Sequence, residues 1–341
     1  NPDLKWETTK QTDFGVDFGF FNQRLTGSFD YYYKKTNDIL VQTPYIAAMG
    51  EGGEPWVNGA SMNNQGVEFT VSFKSDPSSE FQWAVSANIG TYKTELTDLP
   101  SNVINKYAGD GVHDLILGRS PNSAYGLVAD GIFKTQEEVD AHADQPGKAV
   151  GRIRYKDLDG DGVINETYDR TWIGCYDPDF FGGLNFDFAY KGFDLNLFFE
   201  GMFGNDVNSD WKKESDIWLF TNPAWKNHAT RMLGGWSPDN PNSDIPAISN
   251  NTANQEQRFS SWFIEDGSYI KLRNIELGYT FPTKLIKKMH MSNLRLYAAA
   301  YNVFTLKKFW GDDKYTSFDP ERPSYHYLTP FTFNFGINVS F

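Results

Sequence analysis

The chain has 341 residues, with 44 acidic and 31 basic side chains and a formal net charge of −13. This balance excludes nucleic acid as an expected partner, because neutralising phosphates needs clustered Lys and Arg. The mean hydropathy is −0.53. No stretch approaches the roughly 18 apolar residues that a transmembrane helix requires. A single cysteine, Cys175, excludes a disulfide within the chain.

Alternation of apolar and polar residues is the main signal along the chain, and it predicts β-strands. The first two strands, 14–20 and 25–33, form a hairpin, and so do 67–73 with 81–89 and 184–188 with 193–199. A weaker strand is predicted at 124–133, and further strands at 275–281, 294–300 and 331–341. The total is about ten strands. The only helix that the pattern allows is a short one within residues 136–144.

The recurring pattern gives each strand one apolar face and one polar face. Carboxylates and amides on the second face suit a water-filled lumen better than the core of a soluble sandwich. The predicted fold class is therefore all-β: a transmembrane antiparallel β-barrel whose apolar face meets lipid. The residues predicted to face lipid are Phe14, Phe18, Phe69, Val85, Phe186, Leu195, Phe333 and Ile337. The residues predicted to face the lumen are Asp13, Asp17, Thr70, Asn88, Asp187, Asn196 and Asn334.

The connections between these strands are unequal in length. Residues 20–24 and 190–193 are tight turns, whereas 37–64, 92–179, 204–260 and 307–330 are long. Long loops in compact domains are usually functional. Short turns at one rim and long loops at the other are the asymmetry of outer-membrane barrels, in which the long loops are extracellular.

Seven segments together resemble the C-terminal part of SusC/RagA-type TonB-dependent outer-membrane transporters. They lie in the family's order along residues 1–341, and the chain also ends in Phe like the family. The segments are NPDLKWET (1–8), LTGSFDYYY (25–33), NQGVE (64–68), DLDGDGVIN (157–165), GFDL (192–195), WFIEDGSY (262–269) and NVF (302–304).

This resemblance implies the C-terminal portion of a 22-stranded barrel in the outer membrane of a Gram-negative bacterium. It also implies energisation by TonB and a separate SusD-like surface lipoprotein as partner. The family's plug domain and TonB box have no counterpart in residues 1–341. Open sheet edges are not tolerated in lipid. The remainder of the barrel is therefore expected as another chain or as a removed portion.

A half-motif for calcium lies in the loop at 157–165. Asp157, Asp159 and Asp161 occupy positions 1, 3 and 5 of an EF-hand-like loop, and Gly162 at position 6 permits its sharp turn. The Val163 carbonyl would be a further ligand. Position 12 is Tyr168 rather than an acid, so Asp169 or Glu166 would have to close the site. The prediction is a structural Ca²⁺ that stiffens this loop, and the alternative is an acidic turn satisfied by its own backbone.

Tryptophans in the long loops form a second candidate site. Their flat rings could stack on apolar sugar faces, beside Asp and Asn acceptors for hydroxyl groups. The alternative is that they pack loops together or lie in an aromatic girdle. The tryptophans singled out for substrate or partner contact are Trp211, Trp218, Trp225, Trp236 and Trp310.

The sequence contains no convincing catalytic motif. Its five histidines are scattered without the spacing of a zinc site. There is no Gly-x-Ser-x-Gly and no phosphate-binding glycine loop. Glu265 and Asp266 are adjacent in a strand-like segment, so they would face opposite ways rather than converge like a glycosidase pair. The chain is therefore predicted not to be an enzyme.

The favoured function is a segment of an outer-membrane nutrient importer for oligosaccharides, with peptides as possible substrates. Two other classes of protein remain open at this point. One is a secreted, calcium-stabilised all-β module that binds or cleaves glycans. The other is an adhesin barrel without uptake activity. A soluble module would stay monodisperse in water without detergent. A barrel whose outer face is apolar would need detergent to stay dispersed.

Overall fold

The computed structural model describes residues 4–43, 54–104, 109, 114–218, 228–249, 252–307, 316–323 and 327–341. Strands dominate these residues, and the helices are short. The strands are β1 Thr8–Phe20, β2 Leu25–Gln42, β3 Trp56–Lys74, β4 Phe81–Asp98, β5 Ser123–Leu127, β6 Ala129–Ile132, β7 Ile153–Tyr155, β8 Arg170–Cys175, β9 Phe180–Tyr190, β10 Phe193–Phe203, β11 Asp206–Asn208, β12 Ile264–Asp266, β13 Tyr269–Thr280, β14 Asn293–Lys307 and β15 Thr332–Ser340. The α-helices are α1 Gln136–Ala141, α2 Asp210–Lys212 and α3 Thr283–Ile286.

One large sheet organises the molecule. It has nine strands in the order β1-β2-β3-β4-β9-β10-β13-β14-β15, and all neighbours are antiparallel. Neighbouring strands of this sheet follow one another in the order of the chain. The strands outside this sheet, β5 to β8, β11 and β12, lie in the long connections. Within the described residues, β1 and β15 are the two edges of this sheet.

The register separates apolar from polar side chains. In one row of paired residues, Ile89, Gly182, Gly201 and Ile270 lie side by side. The next row pairs Asn88, Gly183, Glu200 and Lys271. Because successive side chains point to opposite faces, these two rows belong to opposite sides of the sheet.

The apolar face carries packed but exposed aromatic side chains. The rings of Phe81 and Phe188 stack at 6.1 Å, and those of Phe186 and Phe199 meet edge to face at 6.1 Å. Phe333 is 64% exposed and Phe335 82%. A large exposed apolar surface is unusual for a soluble monomer and indicates an interaction surface.

The polar face is linked by side-chain hydrogen bonds across strands. The hydroxyls of Ser28 and Thr70 are 2.8 Å apart. The Asn196 amide donates to Asn185 at 2.9 Å and to Asp187 at 2.7 Å. Polar partners of this kind let the strands keep uncharged and acidic side chains on a shared surface without leaving them unsatisfied.

The two ends of the sheet differ as the sequence predicts. Residues 21–24, 75–80, 191–192 and 281–292 connect strands at one end, whereas 43–55, 99–179, 204–268 and 308–331 connect them at the other. In the first short turn, φ is positive at Phe21, Asn22 and Gln23. In the 191–192 turn, Gly192 has φ +87°. Such backbone conformations allow the chain to reverse within a few residues.

The weak strand predicted at 124–133 is not part of the large sheet. These residues form β5 and β6, which pair with β8 and β7 in separate two-stranded sheets. Ala124, Tyr125 and Leu127 are all at most 8% exposed. Residues buried on both faces pack inside a folded loop, so their apolar run did not indicate a barrel strand.

The hydrophobic core lies at the long-connection end of the sheet, in the loops and in the adjoining ends of β2, β3 and β4. One cluster contains Leu127, Ile132, Ile153, Tyr155 and Ile164. A second contains Val41, Ala60, Leu96, Leu99, Val103 and Ile116. The described part of the long 99–179 connection is thus a folded structure. The short helix expected near 136–144 is present as α1, where Thr135 Oγ1 accepts the Glu138 N–H at 3.3 Å.

Among the described residues, no helix is long and apolar enough to cross a membrane.

Candidate functional site

The acidic loop brings three carboxylates together. Oxygen atoms of Asp157, Asp159 and Asp169 all lie within 4.8 Å of one another. The turn between them is possible because Gly160 and Gly162 have φ of +76° and +83°. Asp157 accepts the N–H groups of both glycines, at 2.7 and 2.9 Å. Three close carboxylates are a ligand set suited to a hard divalent cation.

Asp169 is one of the two residues predicted to complete the acidic loop, and it is the one that lies beside Asp157 and Asp159. Its side chain is fully buried and accepts the N–H of Leu158 at 2.8 Å and of Asn165 at 2.7 Å. Ile164 anchors the loop in the hydrophobic core. Asp169 is thus placed by packing as well as by hydrogen bonds.

The other two predicted ligands lie differently. The Asp161 carboxylate accepts the Val163 N–H at 2.7 Å and is not among the three grouped carboxylates. The Val163 carbonyl accepts the Asn165 amide at 3.4 Å. Backbone N–H groups therefore satisfy part of the acidic loop, as the alternative interpretation requires.

Electrostatic repulsion remains in this loop. The Asp161 N–H lowers the pKa of Asp159, but burial and the charges of Asp161 and Asp169 outweigh it and leave that pKa above its usual value. Like charges at this separation disfavour the ionised form, and a bound cation would relieve the repulsion.

The tryptophans fall into distinct environments. The Trp211 ring meets Phe318 edge to face at 4.6 Å, and the backbone N–H of Trp211 donates to the Pro323 carbonyl at 3.4 Å. Trp236 packs beside Gly151 at the margin of the loop core, which favours the packing role for this residue. The Trp218 side chain, Trp225 and Trp310 lie outside the described residues.

Glu265 joins the two loops that contain Trp211 and Phe318, and the largely buried Lys212 lies beside it. Lys212 Nζ donates to the Trp262 carbonyl at 2.5 Å and lies 3.7 Å from Glu265. Burial lowers the pKa of Lys212 to about 8, although the Glu265 charge opposes this shift. Glu265 in turn accepts the Thr316 N–H and hydroxyl, at 3.1 and 2.8 Å. The described parts of the connections 204–268 and 308–331 are therefore in contact and form one joined surface.

A second charged cluster lies on the polar face of the sheet, near the long loops. Lys271 Nζ is 2.7 Å from Asp319 and 2.6 Å from Glu321. Arg273 donates to both oxygens of Glu200, at 2.8 and 2.9 Å, and to Glu321 at 2.6 Å. Sequence reasoning missed this cluster. The available signal was Lys271 and Arg273 at alternate positions of a strand, opposite the acidic Glu200.

Comparison with known proteins identifies the class to which this architecture belongs. Residues 1–303 match the family described as "TonB dependent receptor-like, beta-barrel", so the chain belongs to that family. It is therefore part of a larger β-barrel in the outer membrane of a Gram-negative bacterium.

Particular relatives refine this assignment. TonB-dependent receptor P3 of Formosa agariphila is 32% identical over the whole chain, which covers 35% of that protein. TonB-dependent receptor SusC of Bacteroides thetaiotaomicron is 27% identical over the whole chain and 32% of its own length. The structure of the RagAB peptide transporter superposes with a TM-score of 0.78 at 25% identity, with 100% of this chain and 36% of that chain covered. The chain thus spans about a third of the length of the curated relatives it matches.

The barrel assignment gives the two sheet faces their surroundings. In an outer-membrane barrel the apolar face meets lipid and the polar face lines the lumen. The register places all eight residues predicted to face lipid on the apolar side. The lipid-exposed apolar face and the family membership together set aside the secreted soluble module. The relatives are named as receptors or transporters rather than enzymes.

Proposed function

We propose that this chain forms the C-terminal wall and extracellular loops of a TonB-dependent importer of oligosaccharides. The carrying observation is the joined loop surface, in which Trp211 contacts Phe318 and Lys212 connects through Glu265 to Thr316. This surface stands at the rim of a wall lined by Ser, Thr, Asn and Asp side chains. Flat aromatic rings beside amide and carboxylate acceptors suit the apolar faces and hydroxyls of sugars.

In this function the chain acts by binding and lining rather than by catalysis. Opening and closing the passage are conformational steps, and their energy must come from outside residues 1–341, which contain no nucleotide motif. A plug domain and the TonB complex would provide that coupling. A SusD-like lipoprotein would close the cavity from above by contacting the same loops.

The experiment replaces Trp211, Trp218 and Trp225 together with Ala in the full-length transporter. We expect weaker binding of substrate or lipoprotein with unchanged amounts of barrel in the outer membrane. Trp83, on the apolar face far from the loops, gives the matched Trp→Ala control. If the triple variant reaches the membrane and both binding affinities match the wild type, these residues are structural.

Peptide import is the second candidate, and the structural likeness to the RagAB peptide transporter favours it. The two candidates differ in the growth substrate. A deletion strain grown on defined oligosaccharides and on defined peptides should lose growth on only one class. Loss on peptides alone would replace the oligosaccharide proposal.

We further propose that Asp157, Asp159 and Asp169 hold a structural Ca²⁺, with Asp161 and the Val163 carbonyl close enough in sequence to complete the set. The fit rests on the three grouped carboxylates and on the fully buried Asp169. Calorimetric titration of the purified transporter with Ca²⁺ should show one site that Asp159→Asn weakens. Glu80→Gln, which changes an exposed acid at the opposite end of the sheet, is the control. Absence of binding by the wild type would leave the backbone-satisfied turn as the explanation.

A further inference from the structure

Residues 316–323, here called the strap, lie on the lumen side of the barrel wall. Their acidic residues Asp319 and Glu321 contact Lys271 and Arg273. Lys271 is paired with Glu200 in the register, and Glu200 belongs to the polar face. Because that face lines the lumen, the strap folds inward over β10 and β13 instead of extending outward like a surface loop.

Ion pairs hold the strap against β13 of the wall. Lys271 is only 2% exposed and bonds both strap carboxylates, so its charge is neutralised by the strap itself. Arg273 connects Glu321 with Glu200 of the wall. Charge-assisted hydrogen bonds of this kind are stronger than neutral ones and are geometrically specific.

Hydrogen bonds from Ser209, from β12 and from β14 also hold the strap. Ser317 Oγ lies 2.8 Å from Ser209 Oγ, and Thr316 bonds Glu265 at 2.8 Å. Lys307 Nζ, at the end of β14, donates to the carbonyls of Ser317 and Phe318 at 2.5 and 2.9 Å. The strap is therefore held against the wall by the 204–268 connection and by strands β13 and β14.

The strap differs from the other loops in what holds it. The 99–179 connection is folded around apolar clusters, whereas the strap's only bulky apolar side chain, Phe318, is 55% exposed. Displacing the strap would break mainly polar contacts, which water can replace, together with the ring contact between Phe318 and Trp211.

We propose that the strap is an inward-folded constriction that sets the largest substrate able to pass the β10–β13 side of the lumen. Lys271 and Arg273 are positioning residues that hold it there. This inference rests on the proposed transport function, because only a passage has a size limit. The narrowing of the lumen by the strap can be measured without any transport substrate.

The experiment uses the full-length transporter in outer-membrane vesicles. Asn274, which lies on the lumen face farther from the mouth than Lys271, is replaced by Cys in a Cys175→Ser background. Labelling is measured from outside with maleimide-polyethylene glycol reagents of increasing mass. Asp319→Asn with Glu321→Gln removes the strap's two negative charges, and Glu80→Gln, in an exposed pair with Lys191 at the opposite end, is the control. A Ser86→Cys reporter on β4 tests a part of the wall away from the strap.

We expect the double variant to label Asn274→Cys with the large reagents about tenfold faster, the factor that about 1.4 kcal/mol of lost interaction produces. The double variant should not change the labelling rate of the Ser86→Cys reporter. Glu80→Gln should not change the labelling rate of the Asn274→Cys reporter. A second variant replaces 316–323 with a Gly/Ser linker, which tests the constriction if the double variant leaves the strap in place. If neither variant admits larger reagents at position 274, the strap is no constriction and the proposal is wrong. If the size limit at position 274 changes but the wild type imports neither sugars nor peptides, the transport proposal fails instead.

Discussion

At the residue scale, the face of the strand on which a side chain lies decides whether lipid or the lumen surrounds it. Phe333 and Asn334 are neighbours in β15, yet one meets lipid and the other the lumen. Phe333 pairs with Ala300 in β14, and Asn334 with Ala299. The same chemical change at these two positions should therefore have very different costs.

We predict that Phe333→Arg destabilises the full-length barrel by about 2–4 kcal/mol if the residue lies near the midplane, because a guanidinium is then held among lipid tails. Asn334→Arg, which places the same charge in the lumen, should cost far less. The measurement is urea-dependent unfolding in lipid vesicles. Equal costs at both positions would contradict the assignment of the faces.

Glu321 supports a prediction for pH. Burial raises its pKa, but hydrogen bonds from Arg273 and Lys271 outweigh this and lower the pKa to about 2. Since the folded-state pKa lies below the usual value near 4.5, the contribution to strap stability is present above pH 4.5 and is lost as pH falls through about 2. Protease cleavage within the strap, by an acid-active protease, should rise over this range. In Glu321→Gln the rise should be smaller and the strap more accessible already at pH 5. A pH profile identical to that of the wild type would remove Glu321 as the titrating group.

At the element scale, the long 99–179 connection is stabilised by burial and by one buried ion pair. Arg152 and Glu256 are 2.7 Å apart, with side chains 6% and 5% exposed. Glu256 also accepts the Ile153 N–H at 2.8 Å. This pair connects β7 to the loop that precedes β12, so two connections that are distant in sequence share one core.

We predict that Arg152→Met opens this loop core, because Glu256 is then a buried charge without its cation. Removing one partner of a buried pair typically costs roughly 3–5 kcal/mol. Lys134→Met, which removes the cation of the exposed pair with Asp244, should cost less than about 1 kcal/mol. Limited proteolysis of the loops in intact membranes measures both. A protease pattern for Arg152→Met that matches the wild type would show that the pair does not hold the loops together.

At the scale of the whole molecule, the sheet has two edges among the described residues, β1 and β15. Each edge carries backbone N–H and C=O groups that lack a strand neighbour. Within lipid these groups cost several kcal/mol each when unsatisfied, so spanning sheets close into barrels. The matched relatives are about three times as long as this chain, which agrees with closure by further strands.

We therefore predict that residues 1–341 expressed alone do not insert as a stable monomeric barrel. Heat-modifiable migration on gels, the usual sign of a closed barrel, should be absent, whereas the full-length transporter should show it. The matched test co-expresses the remaining strands as a separate chain, which should restore the shift. A heat-modifiable monomer from residues 1–341 alone would contradict this prediction.

Much of this architecture could be predicted from local patterns. Alternation with period two identified the nine strands of the large sheet, because a strand that separates lipid from water repeats its chemistry every second residue. The same logic failed at 124–133. There Tyr125 and Leu127 are buried in a loop core, and an apolar run cannot reveal which partner covers it.

The candidate sites divide in the same way. The acidic turn could be predicted from the amino-acid sequence, because Asp157, Asp159 and Gly162 act within a few residues of one another, and so could the apolar and polar faces of the strands. Three further features depend on the folded chain: Asp169 lies with the acidic group, Trp236 packs against Gly151, and Asp319 and Glu321 contact Lys271 and Arg273. The strap contacts join residues about 50 positions apart in sequence. Such contacts depend on how the long connections fold back over the wall, and no local periodicity encodes that path.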